Sequence, residues 1–207
     1  MDLFLVRHGQ TIANETNTIQ GQSNTPLSEQ GWKQVHAVAK YLSDVRFDSV
    51  FSSDLDRAMD TARTIAPYAD VIPDKRLREW ALGQWQGLTM PQVKQKFPEE
   101  LAAFLHGTGD FAVTGGESKS QVRQRVSDFM KEIAASHKDE TVLVVSHCGA
   151  MRSILSVVLD CEGYWQRQPQ IDNCSVSRFA FREGLWQLLS WNSADHIQNL
   201  ISKNGNY

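Results

Sequence analysis

Two short runs of consecutive apolar residues, each followed closely by a histidine and a glycine, constrain the fold of this chain more than any other feature. Leu3–Val6 reads LFLV and precedes RHG, and Val142–Val145 reads VLVV and precedes SHCG. A strand with apolar residues at consecutive positions is buried on both faces, which is typical of a parallel sheet covered by helices on each side. The two runs therefore predict central strands of an α/β fold.

The rest of the chain alternates between short apolar segments and segments with helical spacing. Helices are predicted from about Ser28, after a cap at Asp54, and over about 117–136 and 150–159, with a strand at Ser49–Phe51. Strands that alternate with helices predict an α/β fold with a mostly parallel central sheet and helices on both faces. Thr11–Pro26 reads as a polar loop.

Two later regions complete the predicted architecture. Val176–Phe181 and Trp186–Trp191, separated by REGL, predict a C-terminal antiparallel hairpin. The pattern from about 80 to 116 is less regular and predicts an insertion with one or two small helices. Because 207 residues suit roughly one domain, we interpret residues 1–207 as a single domain with this insertion.

The two histidines are expected to meet in space although they are far apart in sequence. His8 and His147 each lie two residues beyond a predicted strand. The carboxyl ends of parallel strands share one edge of a sheet, and open α/β folds bind ligands at that edge. A single histidine at a strand end is more often a satisfied polar residue than a catalyst. The repeated design is what favours a joint site.

A third strand end adds positive charge to the same edge. Arg57 lies in the first turn of the helix predicted after Asp54, and a helix N-terminus together with an arginine favours an anion. With Arg7 nearby, the cluster suits a phosphoryl group. The alternative is a surface ion pair between Arg57 and Asp54 or Asp60. A histidine that attacks phosphorus must be neutral, so one ring nitrogen should donate to a backbone carbonyl.

Composition limits the classes of partner. The net charge of −3 argues against a nucleic-acid binder, and the longest apolar runs are too short to span a membrane. Three cysteines without a CxxC pair predict neither a disulfide framework nor a zinc site. The N-terminus does not read as a signal peptide, so we expect a cytoplasmic protein. No cofactor is expected, and arginines beside the histidines would repel a metal ion.

Six segments together resemble the histidine phosphatase superfamily, in the branch that contains phosphoglycerate mutases and related phosphatases. LVRHGQTIAN matches the signature of that family. The other segments are TPLS with Gly31, SSDLDRAMDTA, LREWALGQWQG, GGES and VVSHCGAMR. RHG alone is weak evidence, but these segments follow the family order and cover most of the chain. The resemblance implies the α/β fold described above, with the insertion at about 80–116 over the active site.

The resemblance also implies a role for each matching residue. His8 would form a phosphohistidine, while Arg7, Arg57 and His147 would hold the phosphoryl oxygens. Asn14 would add a polar contact to the phosphate.

The resemblance assigns the acid to Glu79, which would protonate the leaving alkoxide and then activate water. From the residues alone, Glu79 is a surface or salt-bridged residue beside Arg76 and Arg78.

The family contains two activities that share the phosphohistidine step. Its mutases carry an arginine pair in the insertion, whereas this chain has no arginine between Arg78 and Arg123. We therefore expect a phosphatase, a phosphoric monoester hydrolase acting on a small phosphorylated metabolite. The alternative is a cofactor-dependent phosphoglycerate mutase. The insertion is instead rich in aromatic residues, which would either contact an apolar part of the substrate or form the core of the insertion: Trp80, Trp85, Phe97, Phe104 and Phe111.

Two further alternatives stay open at this stage. One is a non-catalytic protein that binds a phosphorylated ligand, although every residue that the family uses for catalysis is present. The other concerns assembly, because the terminal hairpin allows a homodimer.

Overall fold

A computed structural model describes residues 1–106, 110–161 and 169–200 of the chain. Its strands are β1 (Asp2–Arg7), β2 (Ser49–Ser52), β3 (Val71–Pro73), β4 (Thr141–Ser146), β5 (Val176–Arg182) and β6 (Leu185–Ser193). Its α-helices are α1 (Ile12–Glu15), α2 (Glu29–Tyr41), α3 (Asp56–Ile65), α4 (Met90–Lys96), α5 (Pro98–His106), α6 (Lys119–Ser136) and α7 (Cys148–Val158). Short 3-10 helices lie at Lys75–Leu77, Gly83–Trp85 and Asp195–Leu200.

The strands form one six-stranded sheet in the order β3-β2-β4-β1-β5-β6. The first four are parallel to one another, whereas β5 is antiparallel to β1 and forms a hairpin with β6 at one side of the sheet. The predicted fold class is confirmed. The register pairs Arg7 with Ser146, so β1 and β4 end side by side. The two histidine-bearing segments therefore leave the sheet at the same edge.

Side chains of the central strands alternate between two hydrophobic clusters, one on each face of the sheet. Leu3 and Leu5 join the cluster formed with α6 and α7, whereas Phe4 and Val6 join the cluster formed with α2 and α3. Because every residue from Leu3 to Val6 is buried, each contributes roughly 1.5–3 kcal/mol of transfer free energy. This burial explains the consecutive apolar residues in the sequence.

Of the two predicted helix caps, Ser28 is confirmed and Asp54 is wrong. Ser28 caps α2, as predicted, and its Oγ accepts the Gly31 N–H at 3.0 Å. Asp54 does not cap α3, whose N-cap residue is Leu55. Instead, the guanidinium of Arg78 donates two hydrogen bonds of 2.6 Å to the Asp54 carboxylate. A charged bidentate pair is stronger than one bond from a backbone N–H, which explains the difference.

The Thr11–Pro26 loop also contains the short helix α1. Four residues are too few to show helical periodicity in sequence. Thr11 and Asn14 stabilise this turn as a capping box, with Asn14 Oδ1 accepting the Thr11 N–H at 3.0 Å.

The insertion has a small core of its own. Trp85 is buried with Val93, Leu101 and Val113, and the Phe104 ring packs edge-on against Trp85 at 5.1 Å. Most of its aromatic side chains therefore pack on one another in the core of the insertion. The insertion also contacts the loop after β1, because the Gly87 N–H donates to the Ile19 carbonyl at 2.8 Å. Within the described ranges, no helix is both long and apolar enough to cross a bilayer.

Candidate active site

The ends of β1 and β4 bring the two predicted histidines together. The His8 N–H donates to the Ser146 carbonyl at 3.0 Å, which joins the two strand ends immediately before His147. The ring centroids of His8 and His147 are 4.9 Å apart. Their exposed fractions are 3% and 0%, so both imidazoles lie inside the protein.

The hydrogen bond of His8 determines which nitrogen can attack. Its Nδ1 lies 2.7 Å from the Gly9 carbonyl oxygen. Because a carbonyl only accepts, Nδ1 carries the proton and Nε2 keeps its lone pair. Burial lowers the pKa of His8 well below its usual value, and the neighbouring Arg57 and Arg7 lower it further. The ring is therefore neutral at physiological pH, as a nucleophilic imidazole must be.

His147 carries its proton on the opposite nitrogen. Arg57 Nε donates to His147 Nδ1 at 3.2 Å, so the neutral ring has its proton on Nε2. Burial, followed by the charge of Arg57, lowers the pKa of His147 well below its usual value. Its Nε2 is buried and has no hydrogen-bond partner within the described parts of the chain. Because an unpaired buried donor costs free energy, this N–H is suited to a ligand oxygen.

Arg57 is fixed from three sides rather than paired at the surface. Besides its bond to His147, it donates to the carbonyls of Ser23 and Gly21, each at 2.8 Å. Its exposed fraction is 1%. Burial lowers the pKa of Arg57 to about 10, which leaves the guanidinium charged at neutral pH. The alternative of a surface ion pair with Asp54 or Asp60 is wrong, because the helix turns Arg57 inward.

Arg7 supplies a second buried cation at the end of β1. Its exposed fraction is 5%, and its Nη1 donates to the Ile171 carbonyl. The charge of Arg7 lowers the pKa values of both His8 and His147. Two neutral imidazoles thus share a pocket with two guanidinium groups, which is an environment for an anion.

Glu79 reaches the same edge from an irregular segment. Its carboxylate accepts the Gly149 N–H at 3.2 Å, the Ala150 N–H at 3.3 Å and the Trp80 N–H at 2.8 Å. The first two are at the N-terminus of α7, which begins directly after His147. The negative charge of Glu79 also raises the pKa of Arg57, against the effect of burial. The predicted acid is therefore next to the histidine and arginine cluster.

The placement of Asn14 is less direct. It lies in α1, and its side-chain oxygen accepts from both the N–H and the hydroxyl of Thr11, each at 3.0 Å. The group that Asn14 can offer to a phosphate is therefore its NH₂. Its contact with phosphate stays a prediction.

The chain matches one known protein family over nearly its whole length. The model of the histidine phosphatase superfamily, branch 1, matches residues 3–194. The chain belongs to the histidine phosphatase superfamily. The resemblance seen in the six sequence segments is confirmed.

Relatives within the superfamily cover nearly the whole chain. A metal-independent phosphoserine phosphatase of Arabidopsis thaliana is 36% identical over 206 residues, which are 96% of this chain and 84% of that protein. The Escherichia coli protein named Probable phosphoglycerate mutase GpmB is 31% identical over 193 residues, which are 92% of this chain and 90% of that protein. The structure of a mycobacterial glucosyl-3-phosphoglycerate phosphatase is similar at a TM-score of 0.83 and 34% identity, covering 93% of this chain and 98% of that one.

Two cysteines of the chain are buried in the protein interior and are not suited to chemistry. Cys148 and Cys174 are buried free thiols, and burial raises the pKa of each, which makes them inert nucleophiles. In the part of the chain that the structure describes, no group of three or more His, Cys, Asp or Glu residues is placed to hold a metal ion.

Sequence reasoning missed the residues that hold the Glu79 segment. Glu117 was recognised only as part of the GGES segment before α6, and Gln22 and Arg125 were not singled out. Gln22 Nε2 donates to the Glu79 carbonyl at 3.0 Å. Arg125 donates to the same carbonyl at 3.0 Å. Since these contacts join distant parts of the chain, only the fold reveals them.

Proposed function

We propose that this protein is a phosphatase that hydrolyses a small phosphate monoester through a phosphohistidine on His8. One observation carries the proposal. The neutral His8 ring keeps the lone pair of Nε2 for attack. Its centroid is 4.9 Å from that of His147, a second neutral imidazole, and Arg7 and Arg57 are buried beside the pair. This is a nucleophile surrounded by groups that stabilise the charge of a phosphoryl group in transfer.

The first chemical step transfers the phosphoryl group to the protein. The Nε2 lone pair of His8 forms the P–N bond as the P–O bond of the ester breaks. Arg7, Arg57 and the Nε2–H of His147 stabilise the phosphoryl oxygens, and the NH₂ of Asn14 adds a further donor. Glu79, as a carboxylic acid, gives its proton to the leaving alkoxide.

The second step returns the enzyme to its starting state. Glu79, now a carboxylate, takes a proton from water, and the resulting oxygen nucleophile attacks phosphorus. The P–N bond breaks, and inorganic phosphate leaves with His8 neutral again. No metal ion takes part in this scheme, so we expect turnover to persist in a strong chelator.

The character of the insertion favours the phosphatase over the mutase. A mutase must bind a bisphosphate and a carboxylate, which calls for extra cations near the site. In the insertion, Lys94 and Lys96 lie on the exposed surface of α4, and the sequence has no arginine between Arg78 and Arg123. The mutase remains the second candidate, since several relatives carry that name.

The experiment starts with the nucleophile and then identifies the substrate. The purified chain is mixed with a phosphorylated metabolite, quenched in alkali and digested, and phosphate on His8 is sought by mass spectrometry. Phosphoserine, glucosyl-3-phosphoglycerate and 3-phosphoglycerate with its bisphosphate primer are the first substrates, because relatives are named for them. Release of phosphate with a labelled His8 supports the proposal. Isomerisation of 3-phosphoglycerate would favour the mutase, and binding without turnover would favour the non-catalytic alternative.

We also propose a homodimer that forms through β6. This strand is at the edge of the sheet, and Leu185, Leu188 and Leu189 on it are 70%, 38% and 50% exposed. An exposed apolar edge strand pairs readily with another strand. Light scattering should give twice the mass of one chain for the wild type. The Leu189→Lys variant should have the mass of a single chain. A wild-type chain that stays monomeric at high concentration would exclude this dimer.

For location, we propose the cytoplasm. Cys148, Cys161 and Cys174 are free thiols, which suits a reducing compartment. Fractionation of cells that express the tagged chain tests this proposal, and recovery outside the cytoplasmic fraction would contradict it.

A further inference from the structure

The acid segment around Glu79 depends on side chains for its backbone hydrogen bonds. Residues 78–82 lie outside the helices and strands, between the 3-10 helices Lys75–Leu77 and Gly83–Trp85. Backbone carbonyls in such a segment need donors from elsewhere when they are buried. Arg125, in the middle of α6, supplies them. Its Nη1 donates to the carbonyls of Arg76 and Arg78, each at 2.7 Å, and its Nη2 donates to the carbonyl of Glu79 at 3.0 Å.

Glu117 fixes the orientation of the Arg125 guanidinium. Its carboxylate accepts from Arg125 Nε at 2.7 Å and from Nη2 at 3.0 Å. With the three bonds to carbonyls, all five N–H groups of the guanidinium are used. The side chains of Arg125 and Glu117 are 15% and 22% exposed, so this pair is more shielded than an ordinary surface ion pair. The planar fork of an arginine is required, because an ammonium group cannot reach five acceptors.

Glu117 also holds the two residues that follow Glu79. Its carboxylate accepts the Ala81 N–H at 2.9 Å, and its backbone carbonyl accepts the Trp80 indole N–H at 2.7 Å. The Glu117 N–H in turn donates to the Ala81 carbonyl at 2.9 Å. The backbone is therefore held on both sides of Glu79, from Arg76 to Ala81.

Gln22 connects this arrangement to the phosphate-binding side of the pocket. Its Nε2 donates to the Glu79 carbonyl at 3.0 Å and to the Glu117 carboxylate at 3.3 Å. Gln22 lies between Gly21 and Ser23, whose carbonyls hold Arg57. The loop that fixes the phosphate-binding arginine and the segment that carries the acid therefore share contacts.

We propose that Arg125, oriented by Glu117, is the positioning residue for Glu79 and thereby controls how well the enzyme expels poor leaving groups. This inference rests on the phosphatase function proposed above. Arg125 contacts the backbone of the acid segment, and the N-terminus of α7 holds the carboxylate itself. Without Arg125, the carboxyl group would still be present, but its backbone would no longer hold it at the distance that proton transfer requires.

The test compares two esters that differ in their need for an acid. An alkyl phosphate needs a proton on its leaving oxygen, whereas p-nitrophenyl phosphate has a good leaving group and needs much less. The alkyl ester is whichever of phosphoserine, 3-phosphoglycerate and glycerol 3-phosphate the wild-type chain hydrolyses fastest. The parameter is kcat/KM, because it includes only the steps up to the departure of the alcohol and excludes the later attack of water.

We expect Arg125→Met to lower kcat/KM for the alkyl ester by about 10- to 100-fold, and for p-nitrophenyl phosphate by less than about threefold, given the usual size of acid catalysis. Arg125→Lys should lie between wild type and Arg125→Met. The matched control is Arg123→Met, two residues earlier on α6, because Arg123 donates to Ser156 Oγ and the Cys161 carbonyl rather than to the acid segment. That variant should leave the ratio of the two esters unchanged.

A double-mutant cycle with Glu79→Gln separates positioning from general stabilisation. If Arg125 acts through Glu79, Arg125→Met should cost little more once Glu79 is already Gln. Equal slowing of both esters, or full additivity with Glu79→Gln, would overturn the inference. Should Arg125→Met not fold by circular dichroism, Glu117→Gln serves in its place and should give a smaller selective loss. A wild-type chain that hydrolyses neither ester would instead overturn the proposed function, and the inference with it.

Discussion

The histidine pair and the acid segment lie in one pocket, but different parts of the molecule hold them. His8 and His147 follow adjacent strands whose register places Arg7 beside Ser146, so the sheet itself sets their separation. Glu79 lies in a segment without regular structure, and its backbone is held by Arg125 and by Gln22. The two histidines are therefore placed by the pairing of adjacent strands, whereas the backbone of the Glu79 segment is held by long side chains.

This difference has consequences for mutagenesis. A change in the strand-end pair should remove activity toward every substrate, because each phosphate monoester needs the nucleophile and its cations. A change in the acid segment should alter activity selectively, because only substrates with poor leaving groups depend strongly on a proton.

Replacement of the nucleophile should have the largest effect. We expect His8→Ala to lower kcat by about 10⁴-fold or more, to the background rate, since the loss of a nucleophile removes the covalent route. Phosphate release from p-nitrophenyl phosphate and from an alkyl ester is the measurement, and the far-UV spectrum checks the fold. His36→Ala, at an exposed position of α2, is the control. Near-wild-type turnover by His8→Ala would exclude His8 as the nucleophile.

Loss of a phosphate-binding cation should come next. Arg57→Met should lower kcat/KM by about 10²- to 10³-fold, the usual cost of removing one group that stabilises the transition state. Both esters should lose activity equally, because the charge on the phosphoryl oxygens is common to them. Arg63→Met is the control on the same helix, since Arg63 is 63% exposed and pairs with Asp60 at 3.8 Å. A loss of less than threefold for Arg57→Met would mean that its guanidinium does not contact the reacting phosphate.

The same division explains how much the sequence could predict. Consecutive apolar residues identified β1 and β4, and the histidines after them were correctly expected to meet, because parallel strands end at a common edge. The hairpin of β5 and β6 and the cap of α2 at Ser28 were also predicted. The strands, the hairpin and the cap depend on residues close together in sequence, where periodicity and capping chemistry are informative. The meeting of the histidines follows instead from the general rule for parallel strands.

Features that depend on long-range contacts were not accessible from the sequence. Asp54 was expected to cap α3, but its partner Arg78 is 24 residues away. Arg125 is 46 residues from Glu79, and at its position in α6 it resembles any polar helix residue. The family resemblance assigns the role of the acid to Glu79, yet no pattern in the chain indicates what holds this residue. A motif thus names the reacting groups but not the side chains that position them.

A single methyl group should test the contact between Glu79 and α7. A Cβ added at Gly149 would lie 2.5 Å from Glu79 Oε1, so Gly149→Ala should displace the carboxylate, which can move because it ends a flexible side chain. We expect kcat/KM to fall about tenfold for alkyl esters and to change little for p-nitrophenyl phosphate. Stability should change little, because the preference of helices for alanine over glycine, about 1 kcal/mol, offsets the hydrogen bonds from Gly149 and Ala150 that the displaced carboxylate loses. Equal losses for both esters would place the damage at the histidines instead.

The last prediction concerns stability rather than activity and comes from the burial of the neutral histidines. Burial lowers the pKa values of His8 and His147. It also lowers the pKa of His196, which is only half-buried. Below pH 6.5 the unfolded chain binds protons at these residues that the folded chain does not, so the free energy of unfolding should decrease as pH falls from about 6.5 to 5. The two fully buried residues, His8 and His147, each contribute about 1.4 kcal/mol per pH unit where only the unfolded state is protonated.

Urea unfolding between pH 5 and 7.5 measures this dependence. His147→Asn should flatten it, whereas His36→Asn serves as a control for the loss of an exposed histidine. If His147→Asn keeps the wild-type slope, the ring is not held neutral by the fold. The contrast between histidines that the sheet holds neutral and an acid that side chains hold in place would then be wrong for the histidines. A protonated ring at position 147 would donate from both nitrogens and could not accept the hydrogen bond from Arg57.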